Sequence, residues 1–202
     1  FEGGEGTGKS TQARRLAARL REGGRDVVVT REPGGTPGAE EIRALLVHGA
    51  VDRWSPLSEA LLLNAARADH LDQLIRPALA GGQWVISDRF ADSTRAYQGA
   101  AGGLPAALLL QLEAAVVGGT SPDLTLVLDA PASVGLQRAA SRGGAARFES
   151  KALDFHERLR AAYRALVSED PSRCRLIDAT MDADQVADAV WTAVTEQLRV
   201  SA

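Results

Sequence analysis

The sequence is poor in several features that would each point to a class of protein. It has one cysteine, Cys174, in 202 residues, which excludes an intrachain disulfide, a CxxC pair and a thiolate metal cage. That usage fits a reducing compartment, so a cytoplasmic protein is expected. No apolar run reaches the roughly 18 residues of a membrane-crossing helix. The longest, residues 104–117, is broken by Gln111 and Glu113, so no membrane partner is expected, and nothing has the make-up of a signal peptide. An excess of positive charge is also missing: 23 basic against 26 acidic side chains leave −3, which argues against a nucleic-acid partner. Lysine is nearly absent. Only Lys9 and Lys151 occur, the other 21 basic residues being arginine, so an ammonium at position 9 stands out. The three histidines, His48, His70 and His156, are isolated and lack metal-ligand spacing; they read as helix-face residues.

What is present is globular: 45% hydrophobic, 24% charged, with 20 Gly and 8 Pro spread along the chain. No internal repeat or linker divides it, so residues 1–202 are expected to form one domain. Short β-branched runs alternate with longer helical patterns. Strands are expected at 27–30, 84–88, 124–129 and 175–178, each nearly continuously apolar, as in strands buried on both faces. Helices are expected at 11–21, 39–47, 57–80, 104–117, 132–140, 153–168 and 183–199. The alternation implies an α/β fold in three layers, with residues that act together meeting at the carboxyl ends of parallel strands. The Gly- and Arg-rich break at 141–150 reads as a lid.

Gly3-Gly4-Glu5-Gly6-Thr7-Gly8-Lys9-Ser10 satisfies G-x-x-x-x-G-K-[ST], with Thr11 opening a helix. Glycines let successive N–H groups turn toward phosphate oxygens, Lys9 can reach the β- and γ-phosphates, and the Ser10 hydroxyl can ligate Mg²⁺. ATP with Mg²⁺ is the ligand this implies, and the fold becomes a P-loop NTPase-like one with a five-stranded parallel sheet. Only Phe1 and Glu2 stand ahead of the loop, so its preceding strand is expected to begin in a segment before Phe1. There is no N-K-x-D to read guanine, and Asp88 and Asp129, which end apolar strands, are followed by Arg89 and Ala130 rather than by the Glu of a motor ATPase. A small-molecule kinase instead requires cations for a second anionic substrate, and Arg31, Arg89, Arg138, Arg142 and Arg147 can supply them.

Thr30-Arg31-Glu32-Pro33-Gly34-Gly35-Thr36 follows one strand. Asp88-Arg89-Phe90 ends another, with Ser93-Thr94-Arg95-Ala96-Tyr97-Gln98-Gly99 after it. With F-E-G-x-E-G-x-G-K-S-T-Q at the start, L-I-R-P-A-L at 74–79 and L-D-A-P at 128–131, this order and spacing resembles the bacterial thymidylate kinase (dTMP kinase) family from Phe1 to the last helix. The resemblance implies transfer of the γ-phosphoryl of ATP to dTMP, giving ADP and dTDP, by a homodimeric enzyme. It makes Arg89 the grip on the acceptor phosphate, Arg67 a donor to thymine O4, and Leu63 the cover of the base. It brings Thr94 and Gln98 to the pyrimidine edge, Tyr97 to the sugar 2′ position, and Glu5 to the 3′-hydroxyl. Arg31, Glu32, Pro33 and Arg43 would shape the acceptor phosphate side. Asp88 would hold Mg²⁺ through water or cap the next segment. Arg142 or Arg147 would reach the migrating phosphoryl group, unless either is only a solvated arginine.

Two positions depart from the family pattern: Leu63 stands where many relatives have a stacking Phe, and Ala146-Arg147 replaces a commoner Asp-Arg pair. A kinase for another nucleoside monophosphate, or a P-loop regulatory module, are the competing readings.

Overall fold

The computed structural model describes residues 1–141, 148, 149 and 151–198. Its strands are β1 (Glu2–Gly3), β2 (Val27–Arg31), β3 (Trp84–Asp88), β4 (Thr125–Asp129) and β5 (Cys174–Asp178). The helices are α1 (Lys9–Glu22), α2 (Pro37–Val47), α3 (Pro56–His70), α4 (Arg76–Ala80), α5 (Ala91–Thr94), α6 (Ala106–Val116), α7 (Ala132–Ala140), α8 (Leu153–Glu169) and α9 (Ala183–Leu198). Every strand pairing is parallel, so all carboxyl ends lie on one side.

The continuous five-stranded sheet that the sequence leads one to expect divides in two: β1-β4-β5 form one sheet and β2-β3 another. Glu2 and Gly3 pair with β4, and the seam to β3 is two bonds, from Phe1 N to Ser87 O (2.8 Å) and from Arg89 N to Phe1 O (2.8 Å), too few to register as a ladder.

Period-two alternation places the core on both faces. Leu126 and Leu128 of β4 join Ile86, Ile177 and the buried sides of α1 and α9. Val127, pointing the other way, meets Tyr97, Phe155, Leu159 and Tyr163. Cys174 is a buried strand residue, as its isolation in the sequence suggested.

The long helix expected at 57–80 is interrupted by a π turn, Leu71–Ile75, where Arg76 N bonds to Leu71 O five residues back. Pro77 lacks an N–H and cannot continue an α-helical ladder, so the wider turn absorbs it. The segment after β3 contains a helix that hydrophobic periodicity does not reveal: α5 widens into a second π turn, Arg95–Ala100. Its amino end is held by Glu2, whose carboxylate accepts from Phe90 N (2.7 Å) and Ser93 N (3.2 Å).

Gly6 and Gly135 sit back to back. A Cβ on Gly6 would lie 1.8 Å from Gly135 O, and one on Gly135 would lie 2.3 Å from Glu5 O, so α7 rests directly on the loop that precedes α1.

Candidate active site

The loop between β1 and α1 ends on Gly8 in the left-handed region (φ 95°), and no side chain caps the helix it opens. The first N–H groups of α1 therefore point out of its amino end without a protein side chain on them. Lys9 is buried, and its ammonium donates to Gly4 O (2.7 Å) and Gly3 O (3.2 Å). Burial, reinforced by the nearby Arg89 cation, lowers its pKa from 10.5 to about 8 against the pull of Glu5 and Asp88. Ser10 lies exposed beside it and donates to Asp88 Oδ2. Burial would raise the Asp88 carboxyl, but Lys9, Arg89 and Ser10 outweigh it and hold it below its usual value.

Arg89 follows β3 with a φ of 73°, a left-handed backbone on a residue with a Cβ. Such strain costs about 1–3 kcal/mol and persists only when neighbours fix the side chain. Here they do. The guanidinium donates to Gly3 O (3.1 Å), Ser93 Oγ (3.2 Å), Tyr163 OH (3.1 Å), Glu5 Oε1 (3.0 Å) and Tyr97 OH (2.8 Å). Behind it Tyr163 OH donates to Glu2 Oε2 (2.9 Å), which also accepts from Ser93 Oγ (2.5 Å). Burial would raise the Glu5 carboxyl, yet Arg89, Lys9 and the Tyr97 hydroxyl together hold it at about 2.

On α3, Arg67 is 2% exposed. It donates from Nε to Glu32 Oε2 (2.8 Å), from Nη1 to Asn64 Oδ1 (3.4 Å), and from Nη2 to Phe90 O (3.2 Å) and Thr94 Oγ1 (3.0 Å). A guanidinium has five N–H donors, so one on Nη1 is left over. Glu32 is bridged on its other side by His70 Nδ1 (3.2 Å), whose Nε2 meets Thr30 Oγ1 (2.7 Å). A carboxylate can only accept, so Nδ1 donates to Glu32.

These groups line one crevice of about 260 Å³ that runs from Lys9, Ser10 and Asp88 through Arg89 to Arg67. Glu5, Gly6, Gly8, Arg31, Glu32, Pro33, Arg43, Leu63, Thr94, Tyr97 and Gln98 complete its expected lining, with Ser93 and Phe148 added. Of the loop residues expected at ATP, Gly3, Gly4 and Thr7 border a smaller neighbouring cavity instead, and Thr11 is exposed on α1. Arg43 donates to Pro33 O (2.7 Å), and Arg31 is an exposed ion pair with Glu40 (2.9 Å). Arg142 and Arg147 lie outside the described residues. A larger cavity of about 550 Å³ opens on Trp84, Ile86, Leu124 and Leu126, and among the described residues no arginine or lysine lines it.

A family model described as thymidylate kinase matches residues 1–190. The chain belongs to the thymidylate kinase family. It is 63% identical over 198 residues to the thymidylate kinase of Caulobacter vibrioides, covering 98% of this chain and 95% of that one. It is 51% identical to that of Bradyrhizobium diazoefficiens, with 98% and 88% covered. The crystal structure of a thymidylate kinase from Ehrlichia chaffeensis superposes with a TM-score of 0.79 at 33% identity, over 96% of each chain.

This thymidylate kinase uses residues that sequence reasoning passed over. His70 is not an idle helix-face residue: it is fully buried and completes the Glu32–Arg67 pair. Glu2, Ser93 and Tyr163 form the bed of Arg89. A buried tyrosine in α8 carries no motif, though Glu2, charged in a strand of this fold, is a signal that could have been followed. For Mg²⁺, the described residues hold no cluster of three or more His, Cys, Asp or Glu side chains that could cage a metal. An Mg²⁺ ion held with nucleotide phosphates needs only one or two protein oxygens, and Ser10 Oγ and the neighbouring Asp88 Oδ2 are hard donors of that kind.

Proposed function

We propose that this thymidylate kinase transfers the γ-phosphoryl of ATP to the 5′-phosphate of dTMP, giving ADP and dTDP. The observation that carries the reading is the single crevice joining the Lys9 loop to Arg89 and Arg67. An oxygen of the acceptor phosphate bonds to the γ-phosphorus as the bond to the β,γ-bridging oxygen breaks. The acceptor is largely dianionic at neutral pH, so no strong base is required; the task is to hold two anions in line.

In that reading Lys9 releases the carbonyls of Gly3 and Gly4 and turns its ammonium to the donor phosphates. Gly6 and Gly8 line their path, with Gly3, Gly4 and Thr7 in the same loop and Thr11 on the first turn of α1. Arg89 grips the acceptor phosphate, while Glu5 neutralises part of its charge and faces the sugar with Tyr97. Arg31, Glu32, Pro33 and Arg43 bound the phosphate side, and Leu63, Thr94, Gln98 and Arg67 bound the base. Ser10 and Asp88 hold Mg²⁺, which when bound shields the donor phosphate charge. Residues 1–202 work as one kinase domain; Arg142 and Arg147, either of which is a candidate for reaching the transferred group, lie outside the described residues.

No described helix is long and apolar enough to cross a membrane, and free nucleotide substrates with an unpaired cysteine fit the cytoplasm. The enzyme pairs with a second copy of itself through α3 and α6. Only Leu109 of α6 is buried, and Leu57, Leu61 and Leu110 are 43%, 50% and 49% exposed. Leu61→Glu should yield a monomer by sedimentation; a wild-type protein already monomeric at micromolar concentration would remove that part of the reading.

The decisive measurement is ADP release from ATP-Mg²⁺ with a panel of nucleoside monophosphates. Strong stimulation by dTMP, less by dUMP and almost none by dCMP or AMP is expected. Preference for another monophosphate would reassign the substrate, and stimulation by none would leave only a P-loop ATPase.

A further inference from the structure

Glu59, Leu63 and Arg67 are spaced four apart on α3 and share the face turned to the second π turn. Leu63 and Arg67 line the crevice. Glu59 lies behind it, 4% exposed, and accepts from Gln98 Nε2 at 2.9 Å. Gln98 is 1% exposed and its Oε1 has no hydrogen-bond partner. An amide is assigned by its surroundings. A carboxylate on one side permits only the NH₂ end there, because the reverse orientation would set two acceptors against each other. The carbonyl is thereby turned away from Glu59, in a residue that lines the crevice, with the oxygen itself closed to water. A buried acceptor without a donor is costly, and a bound N–H would relieve it.

We propose that Glu59 is a positioning residue for pyrimidine selectivity: it locks the Gln98 amide so that its carbonyl faces the base. The remaining Nη1 hydrogen of Arg67 and the Gln98 carbonyl then present one donor and one acceptor. Thymine and uracil match that pair with an O4 acceptor beside an N3–H donor. Cytosine offers a donor at N4 and an acceptor at N3, and is rejected at both points. Without Glu59 the amide is free to turn, and half of the discrimination goes with it. This rests on the dTMP reading above.

The test is Glu59→Gln, isosteric and able to accept either end of the Gln98 amide, assayed with dTMP and dCMP. The dTMP-to-dCMP ratio of kcat/KM should fall about tenfold, carried by KM for dTMP with kcat within about twofold. An unchanged ratio overturns the proposal, whatever the absolute activity. Should Glu59→Gln lose its thermal transition, the paired Glu59→Leu/Gln98→Leu variant replaces both polar groups together. Its ratio should equal that of Gln98→Leu alone, and a further loss of selectivity would sink the idea. Wild-type enzyme in the same assay separates the two readings: no dTMP stimulation defeats the function itself, whereas dTMP use with an indifferent Glu59→Gln defeats only this inference.

Discussion

On the acceptor side, Arg67, Glu32, His70, Gln98 and Glu59 are all between 0% and 5% exposed and hold one another through ionic and amide contacts. On the donor side, Ser10 and Thr11 are exposed, and the Lys9 ammonium spends its hydrogens on carbonyls of its own loop. One half of the crevice is wired before any substrate arrives; the other must exchange internal bonds for ligand bonds. In the proposed function selectivity belongs to the first and turnover to the second. Substitutions on the two sides should therefore fail in different ways.

The largest effect is expected from Lys9→Ala. Removing a cation that serves the migrating charge should lower kcat by about 10³-fold, with dTMP affinity measured by calorimetry changing little. Equal loss of dTMP affinity would erase the contrast between the sides. Arg67 should behave oppositely. Arg67→Ala leaves Glu32 buried without its partner and should cost about 3–5 kcal/mol of stability in denaturant titrations. Arg67→Lys keeps the charge but loses the fork, and should raise KM for dTMP about 10–100-fold while sparing KM for ATP. A Lys variant with unaltered base selectivity would refute the donor role.

A pH series sharpens the donor side. In the free enzyme Lys9 loses its proton near pH 8, so kcat/KM for ATP should fall about tenfold per pH unit above that point. The kcat at saturating ATP should hold to higher pH, because bound phosphates favour the ammonium. Stability carries the opposite sign: between pH 8 and 10.5 an unfolded lysine binds more protons than the buried one, so Lys9 contributes a rise in stability with pH across that window. A kcat/KM flat to pH 9.5 would place the titration elsewhere.

The smallest effect is expected from Tyr163→Phe. It removes one hydroxyl from the bed of Arg89, and kcat should fall about three- to tenfold with about 1 kcal/mol of stability. If kcat stays at the wild-type value, the Arg89 guanidinium is held well enough by Gly3, Ser93, Glu5 and Tyr97.

Much of this was readable in advance. Gly8, Lys9 and Ser10 stand as the P-loop pattern requires, and β2 to β5 lie within a residue of the apolar runs that suggested them. The α5 segment was missed because Ala91–Ala100 has no amphipathic period of its own; Glu2, 88 residues from Phe90, caps it. The expected five-stranded sheet divides at the β1–β3 seam, where only two bonds at Phe1 link the strands. Arg67 was recognisable through the family resemblance, but not its four internal acceptors, since Glu32, Asn64, Phe90 and Thr94 converge only after α3, β2 and α5 have packed. The bed of Arg89 was hidden for the same reason: Glu2 and Tyr163 are 161 positions apart. Local pattern announces the parts that meet a ligand, and tertiary packing decides how many of their hydrogen bonds are already spent.

The abutment of Gly6 on Gly135 makes α7 a girder bolted to the nucleotide loop, although 129 positions separate the two residues. A single methyl at either point has no room, so Gly135→Ala would injure the loop from a place no motif search would inspect. It also means that whatever force a tightening loop exerts is delivered through the rigid barrel of α7 to Ser141, the last described residue before position 148.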